Sequence, residues 1–237
     1  MISGARLGIL GGTLDPVHAG HIDTAVAALR GLALDRVLLM PSRVPPHRPV
    51  QPTASRYHRF AMAALAIQEL EGLEVSDLEL CAPGTSYTSD TLERLHGLGL
   101  GSSQIFFITG ADAFAEIETW HRYPDVLEMA HFAVVSRPGH DPLDVTSRIP
   151  ALAGRTLEAA GLAADPGRLS IFLVNAPTAD VSSTEIRRRL GAGQSIAGLV
   201  PDAVRSHIRR HRLYSAQEAN CGSIPSLPSA DHLHGQD

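Results

Sequence analysis

Short apolar runs alternate along this chain with stretches whose apolar residues recur at helical spacing. Residues 6–10 read as a buried strand that ends at Gly11-Gly12, and 22–32 as a helix. A second strand is expected over 36–40, closed by Pro41. Residues 53–70 carry Tyr57, Phe60, Ala61, Ala64 and Leu65 at helical spacing, 73–75 is a weak strand, and 88–98 a short helix. The run 104–109 (Ile-Phe-Phe-Ile at its centre) is the strongest strand signal. Helical character is expected over 123–130, strands over 132–136 and 169–174, and helices over 183–190 and 202–210. Strands alternating with helices imply right-handed crossovers, and so an α/β fold: a Rossmann-like, open, mostly parallel sheet with helices on both faces. In such a sheet ligands bind beyond the carboxyl ends of the strands, where strand order reverses.

The periodicity stops after Tyr214, so the reading divides the chain into one domain, 1–214, and a disordered tail, 215–237. His232 and His234 could in principle hold a metal, but two spaced histidines in such a tail seldom make a site. Cys81 and Cys221 sit in unlike contexts and read as reduced thiols. Neither a signal peptide nor a membrane-length apolar run is evident, so a cytoplasmic setting is expected. The net charge of -5 offers no general attraction to nucleic acid or anionic lipid. All 20 basic residues are arginine. That excludes a P-loop lysine, a kinase-type strand lysine and Schiff-base chemistry. Any phosphate must be held by Arg, His, backbone N–H groups and a metal ion.

The first strand leads into Gly11-Gly12-Thr13-Leu14-Asp15-Pro16-Val17-His18-Ala19-Gly20-His21. Side-chain-free Gly11 and Gly12 allow a sharp turn and let a phosphate approach main-chain N–H groups. His18 and His21, three residues apart at a helix start, share one face near the positive end of the helix dipole. Two imidazoles there can donate hydrogen bonds to a polyphosphate. A zinc pair lacks an evident third ligand, and the glycines do not fit the dinucleotide fingerprint.

This string closely resembles the signature of nucleotidyltransferases with a His-x-Gly-His element, in the longer form found in bacterial nicotinate-nucleotide adenylyltransferases, with Leu14 where that family usually has Phe. The resemblance continues in order. Pro45-Pro46-His47-Arg48 resembles a Pro-His-Lys element, with Arg48 in place of lysine. Tyr87-Thr88-Ser89-Asp90-Thr91-Leu92 matches a Tyr-Thr-x-Asp-Thr-Leu segment, implying that Thr88 lies beside the mononucleotide. Gly110-Ala111-Asp112 with Trp120 matches a Gly-x-Asp…Trp pattern; Asp112 would accept hydrogen bonds from ribose, and Trp120 would stack on the pyridine ring. His121 stands where an aromatic Tyr is common. Ser182-Ser183-Thr184-Glu185-Ile186-Arg187 resembles a Ser-Ser-Thr-x-Ile-Arg element that closes on the ATP phosphates, and Ser182 with Glu185 also forms a plausible capping box.

The resemblance thus implies transfer of the adenylyl group of ATP to nicotinate mononucleotide, giving deamido-NAD and pyrophosphate. ATP would meet Gly11, Gly12, Thr13, His18, His21, Gly110, Asp112, Ser182, Ser183, Thr184 and Arg187. The catalytic set is His18, His21 and Arg187. The mononucleotide set is Arg48, Thr88, Trp120, His121 and Arg137. Mg²⁺ would arrive on the ATP phosphates, with no protein metal site. The partners are these small molecules, without nucleic acid or membrane, and a homo-oligomer is compatible with the chain. Another adenylyl- or cytidylyltransferase of the superfamily, acting on phosphopantetheine or nicotinamide mononucleotide, is the alternative. A non-catalytic nucleotide sensor and a nicotinamide-dependent oxidoreductase are further rivals.

Overall fold

The computed structural model describes residues 5–46, 52–152, 154–159 and 168–215. His47, Arg48 and the segment 216–237 lie outside the described residues. The first half runs β1 (Leu7–Gly12), α1 (Ala19–Gly31), β2 (Arg36–Pro41), α2 (Arg56–Ile67), β3 (Leu73–Val75), α3 (Thr88–Gly97) and β4 (Ile105–Gly110). The second half runs α4 (Ala111–Phe114), β5 (His131–Val135), α5 (Pro142–Ser147), β6 (Thr156–Glu158), β7 (Ile171–Val174), α6 (Ser183–Gly191) and α7 (Asp202–Arg210).

The strands form one sheet in the order β3-β2-β1-β4-β5-β7-β6, and every pairing in it is parallel. This is the expected architecture, with the sheet wholly rather than mostly parallel. Order reverses between β1 and β4, which places a ligand crevice beyond Gly12 and Gly110.

Period-two alternation sends the apolar residues of each central strand to opposite faces. Leu10, Phe106, Ile108, Val135 and Phe172 pack on one face with α1, α2, α6 and α7, through Ala25, Met62, Ile186 and Val204. Ile9, Phe107, Phe132 and Leu173 pack on the other with Leu92, Leu95 and Phe114. Both faces are covered, so the strands read as continuous apolar runs.

The stretch 123–130 is not the helix its spacing suggested. Only a short three-ten turn, Asp125–Glu128, forms there. Hydrogen bonds from Trp120 N to Ile117 O, Tyr123 N to Trp120 O and Leu127 N to Pro124 O curl this segment into successive tight turns.

Candidate active site

The turn after β1 is held in an unusual shape. Leu14 has φ 49, a left-handed conformation that costs a non-glycine residue on the order of 1 kcal/mol or more. Its neighbour Asp15 supplies the restraint. Asp15 is buried and accepts from Thr53 N at 2.8 Å, Ala54 N at 3.1 Å and the Tyr214 hydroxyl at 2.7 Å. Arg59 is 1% exposed and donates to the carbonyls of Thr13 at 2.7 Å and Ser42 at 2.6 Å. Arg187 donates to the Asp15 carbonyl at 2.6 Å, and Ser183 Oγ to Pro16 O at 2.9 Å. The turn is therefore tied to α2 and the residues just before it, to α6, and to Tyr214 beyond α7.

That turn delivers His18 to the cap of α1 and His21 to its first turn. The two rings stack, with centroids 3.7 Å apart and planes 30° apart. The His18 backbone N–H donates to His21 Nδ1 at 3.3 Å, which fixes the neutral tautomer of His21 with its proton on Nε2. Burial, with the Arg137 guanidinium beside it, pushes the His18 pKa down to about 3. His18 is thus neutral, and its Nδ1 is buried with no partner. An orphaned acceptor is tolerated more readily than an orphaned N–H, so its proton also belongs on Nε2.

Gly20 explains the glycine between the histidines. A Cβ there would lie 2.6 Å from Arg137 Nη1, 3.1 Å from Ala179 O and 3.3 Å from His18 Cε1. Only a bare backbone lets the Arg137 guanidinium pass over the start of α1. At Gly110 a Cβ would collide with the Asp112 carboxylate and crowd Arg137.

His18 and His21 line a cavity of about 250 Å³, together with Leu10, Gly11, Thr24, Thr109, Gly110, Asp112, Ala113, Arg137, Ser182, Ser183 and Thr184. Ser182 caps α6, accepting from Glu185 N at 3.2 Å. The N-termini of α1 and α6, far apart in sequence, therefore open into one space. Their partial positive charges, two neutral N–H-bearing imidazoles and one guanidinium make an anion cradle.

A second cavity, of about 310 Å³, adjoins the first and shares Gly11, Thr109 and Ala113 with it. It is lined further by Gly12, Thr13, Ser42, Pro45, Pro46, Glu79, Ser86, Thr88, Phe107, Ile108, Glu116 and Trp120. Trp120 meets Phe107 edge-on with centroids 5.8 Å apart, so one part of the ring packs into the core while another faces the cavity.

The structure distributes the expected residues as follows. His18, His21, Gly110, Asp112, Ser182, Ser183 and Thr184 share the first cavity, Thr88 and Trp120 the second, and Gly11 both. Gly12 and Thr13, read with ATP, line the second. Arg137, read with the mononucleotide, lies against His18 in the first. His121 stacks on Tyr87, with centroids 4.3 Å apart, and its Nδ1 lies 3.0 Å from Ser89 Oγ, outside both cavity walls. Arg187 lies behind the cradle and also donates to Thr184 Oγ1 at 3.2 Å. Sequence reasoning assigned nothing to Asp15, Arg59, Glu79 or Tyr214. Short-range pattern carries little signal for them, because most of their partners lie far along the chain, up to 199 residues away.

A polyphosphate cradle at the switch point of a parallel sheet, with a second small-molecule cavity against it, defines a nucleotidyltransferase-type site. The sequence matches the cytidylyltransferase-like family over residues 9–189. It is 41% identical over 213 residues to the probable nicotinate-nucleotide adenylyltransferase of Pseudomonas aeruginosa (strain UCBPP-PA14), covering 90% of this chain and 99% of that one. It is 39% identical over 209 residues to that of Desulfitobacterium hafniense (strain Y51), covering 88% and 95%. The chain belongs to the cytidylyltransferase-like family and, within it, to the nicotinate-nucleotide adenylyltransferases. In fold it is similar to the Plasmodium falciparum nicotinic acid mononucleotide adenylyltransferase complexed with NaAD, with a TM-score of 0.68 and 17% identity over 89% of this chain and 98% of that one.

Proposed function

We infer that this enzyme transfers the adenylyl group of ATP to nicotinate mononucleotide, forming deamido-NAD and releasing pyrophosphate. The observation that carries the reading is the pair of adjoining cavities at the ends of β1 and β4. One is built for a polyphosphate and the other holds the chain's single tryptophan.

An oxygen of the mononucleotide phosphate attacks the α-phosphorus of ATP. The bond from that phosphorus to the bridging oxygen breaks, and pyrophosphate leaves with the electron pair. The attacking phosphate is already ionised at neutral pH, so no enzyme nucleophile and no general base is needed. Positioning two anions is the principal task, and alignment alone can supply about 7–11 kcal/mol. The Nε2–H groups of His18 and His21, the guanidinium of Arg137 and the N-termini of α1 and α6 stabilise charge on the triphosphate. Arg187 acts from behind, steadying Thr184 and the Asp15 turn. Magnesium would enter with the ATP phosphates and offset part of their charge, and Asp112 is a carboxylate that lines this cavity and would face it. Gly12, Thr13, Thr88 and Trp120 surround the mononucleotide. The setting is read as cytoplasmic, with small molecules as the only substrates. No described helix is long and apolar enough to cross a membrane.

The test is pyrophosphate release from ATP with nicotinate mononucleotide, nicotinamide mononucleotide and phosphopantetheine in parallel. Release is expected with nicotinate mononucleotide in clear excess over the others. Preference for either alternative acceptor reassigns the second cavity, and release with none of them contradicts the reading.

A further inference from the structure

The wall of the second cavity contains a carboxyl group that the reaction scheme leaves unused. Glu79 lies in the turn between β3 and α3 and is 5% exposed. Its Oε1 accepts from Thr91 Oγ1 at 2.7 Å, and the Ser86 hydroxyl is a second hydrogen-bond partner. Thr91 belongs to the first turns of α3, the helix that begins at Thr88, and also donates to Tyr87 O at 3.2 Å. Ser86 in turn accepts from Arg43 N at 2.9 Å, and its own N–H donates to Val44 O at 2.8 Å. One buried carboxyl therefore joins the start of α3 to the 43–46 strand-end segment. Glu79, Ser86 and Thr88 all face the same cavity. A buried carboxyl is costly to keep without such partners; burial pushes the Glu79 pKa up, while these hydroxyls and the charges of Arg94 and Arg59 oppose that rise.

We propose that Glu79 is a positioning residue for the mononucleotide: its carboxyl fixes the Ser86–Thr88 rim and the first turn of α3, setting affinity in that half of the site alone. The inference rests on reading the second cavity as the mononucleotide site. Glu79 lines the second cavity and is absent from the wall of the ATP cradle. Its loss should therefore act on one substrate selectively.

Glu79→Ala, Glu79→Gln and Thr91→Val are compared with the wild type in two measurements. One is the KM for each substrate. The other is a titration of Trp120 fluorescence with nicotinate mononucleotide in the absence of ATP. The probe is clean, since the chain has one tryptophan. Glu79→Ala should raise both the KM and the fluorescence Kd for the mononucleotide by about tenfold or more, with the KM for ATP within about twofold. Glu79→Gln, whose amide oxygen still accepts from Thr91, should recover most of the loss. Thr91→Val should show the same selectivity at smaller size, and serves as the test if the alanine variant does not fold. An equal rise in both KM values, no rescue by glutamine, or wild-type behaviour of Glu79→Ala overturns the proposal. A wild type whose tryptophan responds to the mononucleotide but which releases no pyrophosphate overturns the functional reading, and the fluorescence comparison then still decides the role of Glu79. No response together with no pyrophosphate release in the wild type overturns both, and release without a response leaves the KM comparison to decide the role of Glu79.

Discussion

Tyr214→Phe removes one oxygen from the structure and isolates a single tie on the catalytic turn. The Tyr214 hydroxyl donates to Asp15 Oδ1 at 2.7 Å across 199 residues of sequence, and Tyr214 is 5% exposed. A buried hydrogen bond to a charged group contributes about 1.5–3 kcal/mol. Asp15 keeps its two amide donors, so the lower part of that range applies, about 1.5–2 kcal/mol. For a domain of this size that corresponds to a fall in Tm of about 3–8 °C. A pH signature accompanies it. Burial, and then the Asp15 charge, push the Tyr214 pKa far above its ordinary value of about 10. A raised tyrosine pKa gives stability that is fully present below the unfolded value and is lost as pH rises beyond it. Urea unfolding of wild type and variant should therefore differ at pH 7.5 and converge above about pH 10. A Tm change under about 1 °C at neutral pH, with unchanged alkaline slope, would refute the argument that this bond holds the turn.

His21→Ala should cut turnover by on the order of a hundredfold with the fold intact by circular dichroism; near-normal pyrophosphate release removes His21 from transition-state stabilisation. Trp120→Ala should weaken mononucleotide binding more than ATP binding by isothermal titration, and equal losses take Trp120 out of the pyridine site. His18 has its pKa depressed to about 3, so its contribution is present above about pH 6.5 and is lost as pH falls towards 3. His18→Gln should flatten the decline in stability over that window, read by thermal melts from pH 7 to 4; an unaltered slope means that His18 is not held neutral by the fold.

Local pattern revealed what depends on local pattern. The alternation of apolar runs placed β1, β2, β4, β5 and β7 within two residues, and the order of β and α segments gave the parallel sheet. The Gly-Gly turn and the two histidines were legible because the strand, turn and helix that bring them together are contiguous. Ser182, Ser183 and Thr184 were visible as a helix start, though only the fold brings that start into the same cavity as His18. The short β6 was not legible, since Thr156 and Leu157 are only partly buried, Glu158 is exposed, and three residues carry little periodicity. Helical spacing gave Arg59 no role, yet its guanidinium is buried among carbonyls contributed by residues 13, 42, 43 and 54. Arg187 was readable as a cation near phosphate; its engagement with the Asp15 carbonyl depends on a contact 172 residues distant.

The anchors on Asp15 and its neighbours also order events in time. They come from residues 53 and 54, 59, 183, 187 and 214. While the polypeptide is emerging from the ribosome, at roughly 5–20 residues per second, the early strands can pair long before those partners exist. The nucleotide loop gains the last of these ties only when translation has passed Tyr214. Loss of this clasp by proteolysis would take one hydrogen bond from the turn and the apolar contacts of Leu213 and Tyr214 from the core at the same time.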